Sequence, residues 1–178
     1  MTYIPQFTIT PVLLSRIAAI AALRERIVGV GVEPAWVPAL QKDGRSRNAH
    51  ASTAIEGNPL TLDEVRRLEE GKDLPKATER SLREVKNYFL GLKFIEKNAY
   101  RKELRHDDVF DLHRILAKGV MDQGEAGRYR SMAVRVGGYV PPAAHEVSGL
   151  MFELLTWWNR DSASWHPALS SAILHYRF

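Results

Sequence analysis

Apolar residues recur three or four positions apart along most of this chain, and this is the period of an α-helix. In the first such segment Thr10 offers a helix cap, a proline follows it, and Gly29 ends the run. The apolar residues at this spacing there are Leu13, Leu14, Ile17, Ile20, Ala21 and Ile27. Similar segments are predicted at 34–55, after Thr61, at 82–95, at 109–116, at about 145–160 and from 166 onward. The pattern predicts a mainly α-helical fold.

Turn and cap residues separate these helical segments. Gly57 and the Asn-Pro pair behind it are expected to end the second helix. Thr61 and Glu64 have the spacing of a capping box, which predicts that a short helix begins there, and Gly71 is expected to close it. These signals place the loops between helices.

One segment, residues 124–142, breaks the helical period. Val134 and Val136 alternate with other residues, and Gly137 and Gly138 then offer a tight turn before a double proline. We therefore predict a short β-hairpin on a helical body. An exposed hairpin edge can bind an extended peptide by strand addition, although a purely structural hairpin explains the same pattern.

Composition narrows the class of protein. The 178 residues are 45% apolar and 26% charged, which suits one folded domain over 1–178 rather than a disordered or membrane-embedded chain. The absence of cysteine excludes disulfides and thiolate metal sites, and no secretory leader opens the chain. These features favour a cytoplasmic protein. The net charge of +4 is modest.

The familiar motifs for metals and nucleotides are missing. His106 and His113 lie seven residues apart without the acidic partner of a helical zinc site, so no metal site is predicted. The Gly-Val-Gly at 29–31 lacks the third glycine and the preceding strand of a dinucleotide fingerprint. There is no Walker loop and no nucleophile elbow.

The segment from Ser52 to Asn58 carries the strongest functional signal. Ser52 and Glu56 stand four positions apart, which places them on one face of a helix. Glu56 falls in the last helical turn, where the helix dipole disfavours a negative charge. It therefore needs a cation from another part of the protein, unless it is an ordinary surface glutamate.

Five stretches resemble the Fic family of protein adenylyltransferases in their expected order. Ser52-x-x-x-Glu56-Gly57 resembles the family's inhibitory helix, written Ser/Thr-x-x-x-Glu-Gly/Asn. The others are residues 7–14, similar to the opening of bacterial members, 112–116, 127–142 with the family's flap, and 166–178. The resemblance implies a Fic-like helical bundle in which residues 1–58 are N-terminal helices and 59–178 are the Fic core.

The family's catalytic signature, His-Pro-Phe-x-Asp/Glu-Gly-Asn-Gly-Arg-x-x-Arg, does not occur in these 178 residues. No catalytic residue is therefore assigned, and His175 does not inherit the role of the motif histidine, which is the general base. The chain is expected to be inert as given and to be truncated at its C-terminus, since the last helix ends without a polar tail. ATP and Mg²⁺ are expected for the complete protein and are not expected to bind this chain tightly.

The resemblance does assign residues to inhibition of the enzyme and to docking of its target protein. Glu56, with Ser52 and Gly57, corresponds to the inhibitory residues that block the ATP γ-phosphate site by pairing with the second arginine of the missing motif. Val134, Arg135 and Val136 correspond to the flap that aligns a target protein. The resemblance implies AMP transfer from ATP to a Ser, Thr or Tyr hydroxyl of that target. The target, the direction of the reaction and homo-oligomerisation stay open.

Two hypotheses of other classes compete with this one. The first is a stand-alone binding or antitoxin-like module that keeps the fold without the chemistry. The second treats the basic helix from Arg80 to Arg105 as a nucleic-acid surface, which predicts binding that weakens steeply with salt. No recognition-helix motif accompanies that basic helix.

Overall fold

The computed structural model describes residues 3–31 and 35–178, and in these ranges the chain forms seven α-helices. Their bounds are α1 Pro11–Gly29, α2 Val37–Ile55, α3 Leu62–Glu69, α4 Glu79–Asn98, α5 His106–Ala117, α6 Ala144–Asp161 and α7 Pro167–Arg177. A 3-10 turn, Ser162–Ser164, follows α6. The prediction of a mainly helical fold is confirmed. The predicted start of the second helix at Pro34 lies outside the described residues.

Side-chain caps explain why several helices begin where they do. Thr10 Oγ1 accepts a hydrogen bond from the Leu13 amide at 3.2 Å, with proline at the first helical position of α1. Thr61 and Glu64 form the predicted capping box at α3, in which the Thr61 amide donates to the Glu64 carboxylate at 2.8 Å. Each cap satisfies an amide that the first helical turn leaves without a partner.

The described chain divides into two compact units. The first contains the chain up to Trp36, Lys102–His106 and Val134–Phe178, and therefore α1, α6 and α7. The second contains Val37–Arg101 and Asp107–Ala133, and therefore α2, α3, α4 and α5 from its second residue. The division into residues 1–58 and 59–178 stays a prediction.

The second unit has its own apolar core, to which α2, α3 and α4 all contribute. Ala49, Val65 and Val85 are fully buried at its centre. The rest of the buried cluster consists of Leu60, Leu68 and Leu74. Burial of apolar side chains is the main force that packs these three helices together.

The first unit is built around one buried tryptophan. Trp157 is 1% exposed, and its ring makes edge contacts with Tyr3 at 5.6 Å and Trp165 at 6.3 Å between centroids. Leu154 on the same helix is equally buried, and Ile173 reaches the core from α7. Large aromatic rings provide much of the buried area in a small core.

The predicted β-hairpin is not confirmed. Among the residues that the structure describes there is no strand, and Val136 and Tyr139 instead form a single antiparallel bridge with mutual hydrogen bonds of 3.1 and 3.0 Å. In an antiparallel ladder the next hydrogen-bonded pair outward would be Val134 with Pro141. Because proline has no amide hydrogen to donate, the ladder stops after one bridge.

In the described parts of the chain, no helix has both the length and the apolar character that crossing a membrane requires.

Candidate functional site

Helix α2 ends in a tightly bonded turn that holds the predicted inhibitory residues. The Gly57 amide donates to the Ala54 carbonyl and the Asn58 amide to the Thr53 carbonyl, both at 3.0 Å. This pair of bonds is the Schellman motif. It requires a residue at positive φ, and Gly57 has φ of 88°. The turn confirms the predicted helix end and fixes the backbone on both sides of Glu56.

Asn58 anchors this turn to α4. Its side chain is buried at 7% exposure, and its amide nitrogen donates to the Ser81 carbonyl at 3.0 Å and to Glu84 Oε2 at 2.8 Å. Its amide oxygen accepts from the Leu60 amide at 3.1 Å. The end of α2 is therefore held by side-chain hydrogen bonds as well as by its own backbone.

Ser52 holds α2 against α4 one helical turn earlier. Its hydroxyl oxygen lies 2.9 Å from the phenol oxygen of Tyr88, and both side chains are half-buried. The Tyr88 hydroxyl also lies 3.4 Å from Asn48 Oδ1. Ser52 therefore faces α4 and has a clear structural contact there.

Glu56 is placed differently from its neighbours. It is exposed, and in the ranges 3–31 and 35–178 its carboxylate makes no hydrogen bond and no ion pair. Its amide donates to the Thr53 carbonyl at 3.1 Å, so the backbone beneath the side chain is ordered. The structure presents a carboxylate on a fixed support, ready to accept hydrogen bonds from a cation.

Several other acidic residues near α2 and α3, Asp43, Asp63, Glu69 and Glu70, have cationic partners. Hydrogen bonds from Arg47 and Arg66 hold the pKa of Asp43 below its usual range. Lys72 and Lys42 bind the carboxylate of Glu70 and lower its pKa to about 2.

Glu69 on α3 forms hydrogen bonds with two residues in the middle of α2. It accepts a hydrogen bond from Arg45 at 3.3 Å and another from the buried hydroxyl of Ser46. The N-terminal half of α2 is therefore fixed to α3, whereas the glutamate at its other end has no such contact.

The predicted flap residues lie on the exposed segment of the first unit that contains the single bridge. Val134 is 43% exposed and Val136 67% exposed. Arg135 folds back along the turn, where its Nε donates to the Gly137 carbonyl at 3.1 Å. Both valine side chains are accessible to a partner.

The segment before the flap, in the second unit, packs tightly on α5. The Gly127 amide donates to His113 Nδ1 at 3.1 Å, and the Tyr129 ring meets the Phe110 ring edge-on at 4.7 Å. A Cβ at Gly127 would lie 3.0 Å from the Phe110 carbonyl oxygen and 2.9 Å from the Arg114 guanidinium. Burial raises the pKa of Tyr129. The motif residues 112–116 and 127–130 therefore meet in one local contact.

Part of the basic face of α4 is already neutralised. Arg80 binds both carboxylate oxygens of Asp122, at 2.7 and 3.0 Å, and also donates to Glu84 at 3.1 Å. These bonds raise the pKa of Arg80 and lower that of Asp122. Arg83 pairs with Glu79 one turn away. Such pairing reduces the positive potential that a polyanion would meet.

Sequence reasoning placed Asn58 only at the end of the second helix, without its contacts to α4, and it did not identify Tyr88 and Glu84, which also support this site. Asn58 had a local signal, since a polar residue after a helix-ending glycine often takes part in the closing turn. Its partners on α4 lie 23 and 26 positions away, and a single sequence does not reveal such pairings.

Comparison with known sequences relates the chain to a single family. Residues 103–178 match the sequence model of the Fic/DOC family. The protein adenylyltransferase Fic of Drosophila willistoni is 29% identical over 170 residues, which cover 91% of this chain and 33% of that protein. The protein of the same name from Drosophila virilis is 31% identical over 145 residues, covering 77% and 29%. The chain therefore spans about a third of the length of these curated relatives.

Solved structures resemble the chain over nearly its whole length. A Fic family protein from Desulfovibrio desulfuricans G20 is 33% identical with a TM-score of 0.78, covering 99% of this chain and 53% of that one. Fic-1 from C. elegans, amino acids 134–508, is 25% identical with a TM-score of 0.76, covering 94% and 51%. These matches confirm the resemblance inferred from the sequence motifs.

Proposed function

Because the chain belongs to the Fic/DOC family, we propose that it is the regulatory and target-docking part of a protein adenylyltransferase. Such an enzyme transfers AMP from ATP to a Ser, Thr or Tyr hydroxyl of a protein. In this proposal the segment from Ser52 to Gly57 inhibits the enzyme, and residues 134–136 bind the target.

The observation that carries the proposal is that the exposed carboxylate of Glu56 stands on an ordered turn without an ion pair or hydrogen bond to any residue that the structure describes. Neighbouring acidic residues of the same unit, such as Asp43 and Glu70, are bound by arginine or lysine. Glu56 has no such partner among the residues described, although its main-chain amide and those of Gly57 and Asn58 are all hydrogen-bonded within the turn. An exposed carboxylate without an ion pair, held at the end of an ordered helix turn, suits a residue that binds a cation outside this chain segment.

Inhibition would follow from occupancy of one arginine. Arginine and carboxylate form paired, charge-assisted hydrogen bonds, which are among the stronger polar contacts in proteins. An arginine of the catalytic motif held by Glu56 would not be free to bind the γ-phosphate of ATP. The nucleotide would then not present its α-phosphate to the target hydroxyl, and transfer would stop.

Target docking would use the exposed residues around the single bridge. Val134 and Val136 leave their side chains accessible. An extended segment of a target could pair with this backbone as a strand pairs with a sheet edge. Pairing of this kind uses main-chain hydrogen bonds, so it would position the modified hydroxyl with little dependence on the side chains of the target.

ATP and Mg²⁺ belong to the proposal for the complete protein. Among residues 3–31 and 35–178, no three His, Asp or Glu side chains are grouped as metal ligands would be. The 178 residues alone would not transfer AMP, because the catalytic signature does not occur among them.

The test is AMP incorporation from labelled ATP by the protein as its native gene encodes it. Glu56→Gly should raise incorporation roughly ten- to hundredfold, since a hydrogen bond to a charged group contributes about 1.5–3 kcal/mol. Glu103→Gly is the matched control, because Glu103 is also an exposed glutamate outside the helices. Equal incorporation by the wild type and the Glu56 variant would contradict the inhibitory role.

A further inference from the structure

We propose that Asn58 is a positioning residue for Glu56, because its side-chain amide fixes the turn that carries the inhibitory carboxylate. This inference rests on the proposed inhibitory role of Glu56. Asn58 itself would contact neither the nucleotide nor the target, and it would act only through the place where Glu56 stands.

The bonds of Asn58 use both ends of its amide. The nitrogen has two hydrogens, and they go to the Ser81 carbonyl at 3.0 Å and to Glu84 Oε2 at 2.8 Å. The oxygen accepts from the Leu60 amide at 3.1 Å. At 7% exposure, little water is available to replace a lost partner. An aspartate would keep the bond from Leu60 but would set a carboxylate against Glu84.

Glu84, the charged partner of Asn58, is itself held in place. Its other oxygen, Oε1, accepts from Arg80 at 3.1 Å. Arg80 is in turn bound by both oxygens of Asp122. The side-chain amide of Asn58 therefore donates to a carboxylate that is itself held in place, and this contact also fixes the turn.

Asn58 is linked to Glu56 through the backbone of one intervening residue, Gly57. The main-chain amide of Asn58 donates to the Thr53 carbonyl and so closes the Schellman turn, and Glu56 lies between these two residues. Beyond Ser52, no other residue of this helix end makes a described side-chain hydrogen bond to α4. If the Asn58 side chain is removed, the turn keeps its own backbone bonds, and the Ser52 contact is then the one described side-chain hydrogen bond that joins this helix end to α4.

The experiment combines hydrogen exchange with AMP incorporation in the full-length protein. The variants are Asn58→Ala and Asn58→Asp, each made with Glu56 present and with Glu56→Gly. Asn98→Ala is the matched control, because Asn98 also donates to a main-chain carbonyl, that of Phe94 at 2.7 Å, far along α4. If Asn58→Ala fails to fold, Glu84→Gln weakens the same contact while keeping an acceptor opposite the amide.

In the Asn58 variants we expect the amides of residues 56–58 to exchange roughly tenfold faster or more, since the lost bonds leave buried partners unsatisfied. AMP incorporation should rise severalfold with Glu56 present and should not rise further in the Glu56→Gly background. Asn98→Ala should change neither quantity. This dependence on the background separates positioning from a general loss of structure.

Two results would overturn the inference. One is exchange at residues 56–58 that matches the wild type. The other is a change in AMP incorporation of equal size with and without Glu56. If Glu56→Gly itself leaves incorporation unchanged, the proposed inhibition fails, and the exchange rates still report separately whether Asn58 holds the turn.

Discussion

The hydroxyl oxygen of Ser52 lies 2.9 Å from the phenol oxygen of Tyr88, across 36 positions of sequence. The contact joins α2 to α4 one turn before the exposed Glu56. The helix that precedes the proposed inhibitory glutamate is thus fixed by polar contacts as well as by the burial of Ala49.

Removing the Tyr88 hydroxyl should loosen this attachment. Tyr88→Phe leaves the half-buried Ser52 without its partner, and we expect the free energy of unfolding to fall by about 1 kcal/mol. Chemical denaturation measures it, with Tyr100→Phe as the control because Tyr100 is 80% exposed. Ser52→Ala completes a double-mutant cycle. A coupling energy near zero would show that the two hydroxyls do not interact.

Gly57 should tolerate other residues poorly for a purely conformational reason. A Cβ there would meet no atom within 4 Å, but φ is 88°, which L-residues rarely adopt. Gly57→Ala should therefore cost about 1–2 kcal/mol of unfolding free energy, and Gly57→Asn should cost less. Gly138→Ala is the control, since that position is equally open and lacks the positive φ. Equal stability of the two alanine variants would exclude strain at Gly57.

A side chain at Gly127 should be more costly, because φ is 80° and the space is also filled. Its Cβ would press on the Phe110 carbonyl and the Arg114 guanidinium. We expect Gly127→Ala to lower the free energy of unfolding by about 3 kcal/mol, the sum of strain and overpacking. Gly124→Ala is the matched control, because Gly124 has a similar φ of 84° but a Cβ there would meet only the flexible end of Met121. A loss no larger than that of the control would contradict the close packing.

The contact between α2 and α3 should weaken in acid. Lys72 and Lys42 lower the pKa of Glu70 from 4.5 to about 2. The pKa of Glu70 is lower in the folded protein than in the unfolded chain. The ion pairs therefore stabilise the folded state fully above pH 4.5, and this stabilisation is lost as the pH falls towards 2. The effect should shrink at high salt, since these charges are exposed.

NMR titration of the Glu70 carboxyl measures this pKa directly. Lys72→Met and Lys42→Met should each raise it, whereas Lys97→Met, an exposed lysine on α4, should leave it unchanged. A pKa of Glu70 that stays near 2 without either lysine would show that the two ion pairs do not cause the shift.

Local signals predicted much of this fold. The caps at Thr10 and Thr61 and the end of α2 at Gly57 are confirmed, since each depends on residues only a few positions apart. The hairpin is not confirmed, because a pattern of alternating residues does not show that Pro141 would face Val134 in the ladder. One missing amide hydrogen outweighs the favourable turn residues.

The candidate site was predicted only in part, because its supports are distant in sequence. The spacing of Ser52 and Glu56 drew attention to the end of α2, and the inhibitory role of this segment stays a prediction, whereas the family resemblance was confirmed. The bonds from Asn58 to Glu84 and from Gly127 to His113 join separate helices and loops. Their formation depends on how α2, α4 and α5 pack, which apolar periodicity alone does not determine.

The ordered turn beneath Glu56 also determines how quickly its carboxylate could engage and release a cation. The amides from Glu56 to Asn58 all donate within the turn, so a binding event would not have to fold a segment. It would immobilise one exposed side chain, at an entropy cost of about 1.5–2 kcal/mol. Exposed side chains change rotamer in picoseconds to nanoseconds. Rotation of Glu56 would therefore not limit the rate of engagement or release, and the lifetime of the inhibited state would be set by the strength of the ion pair itself.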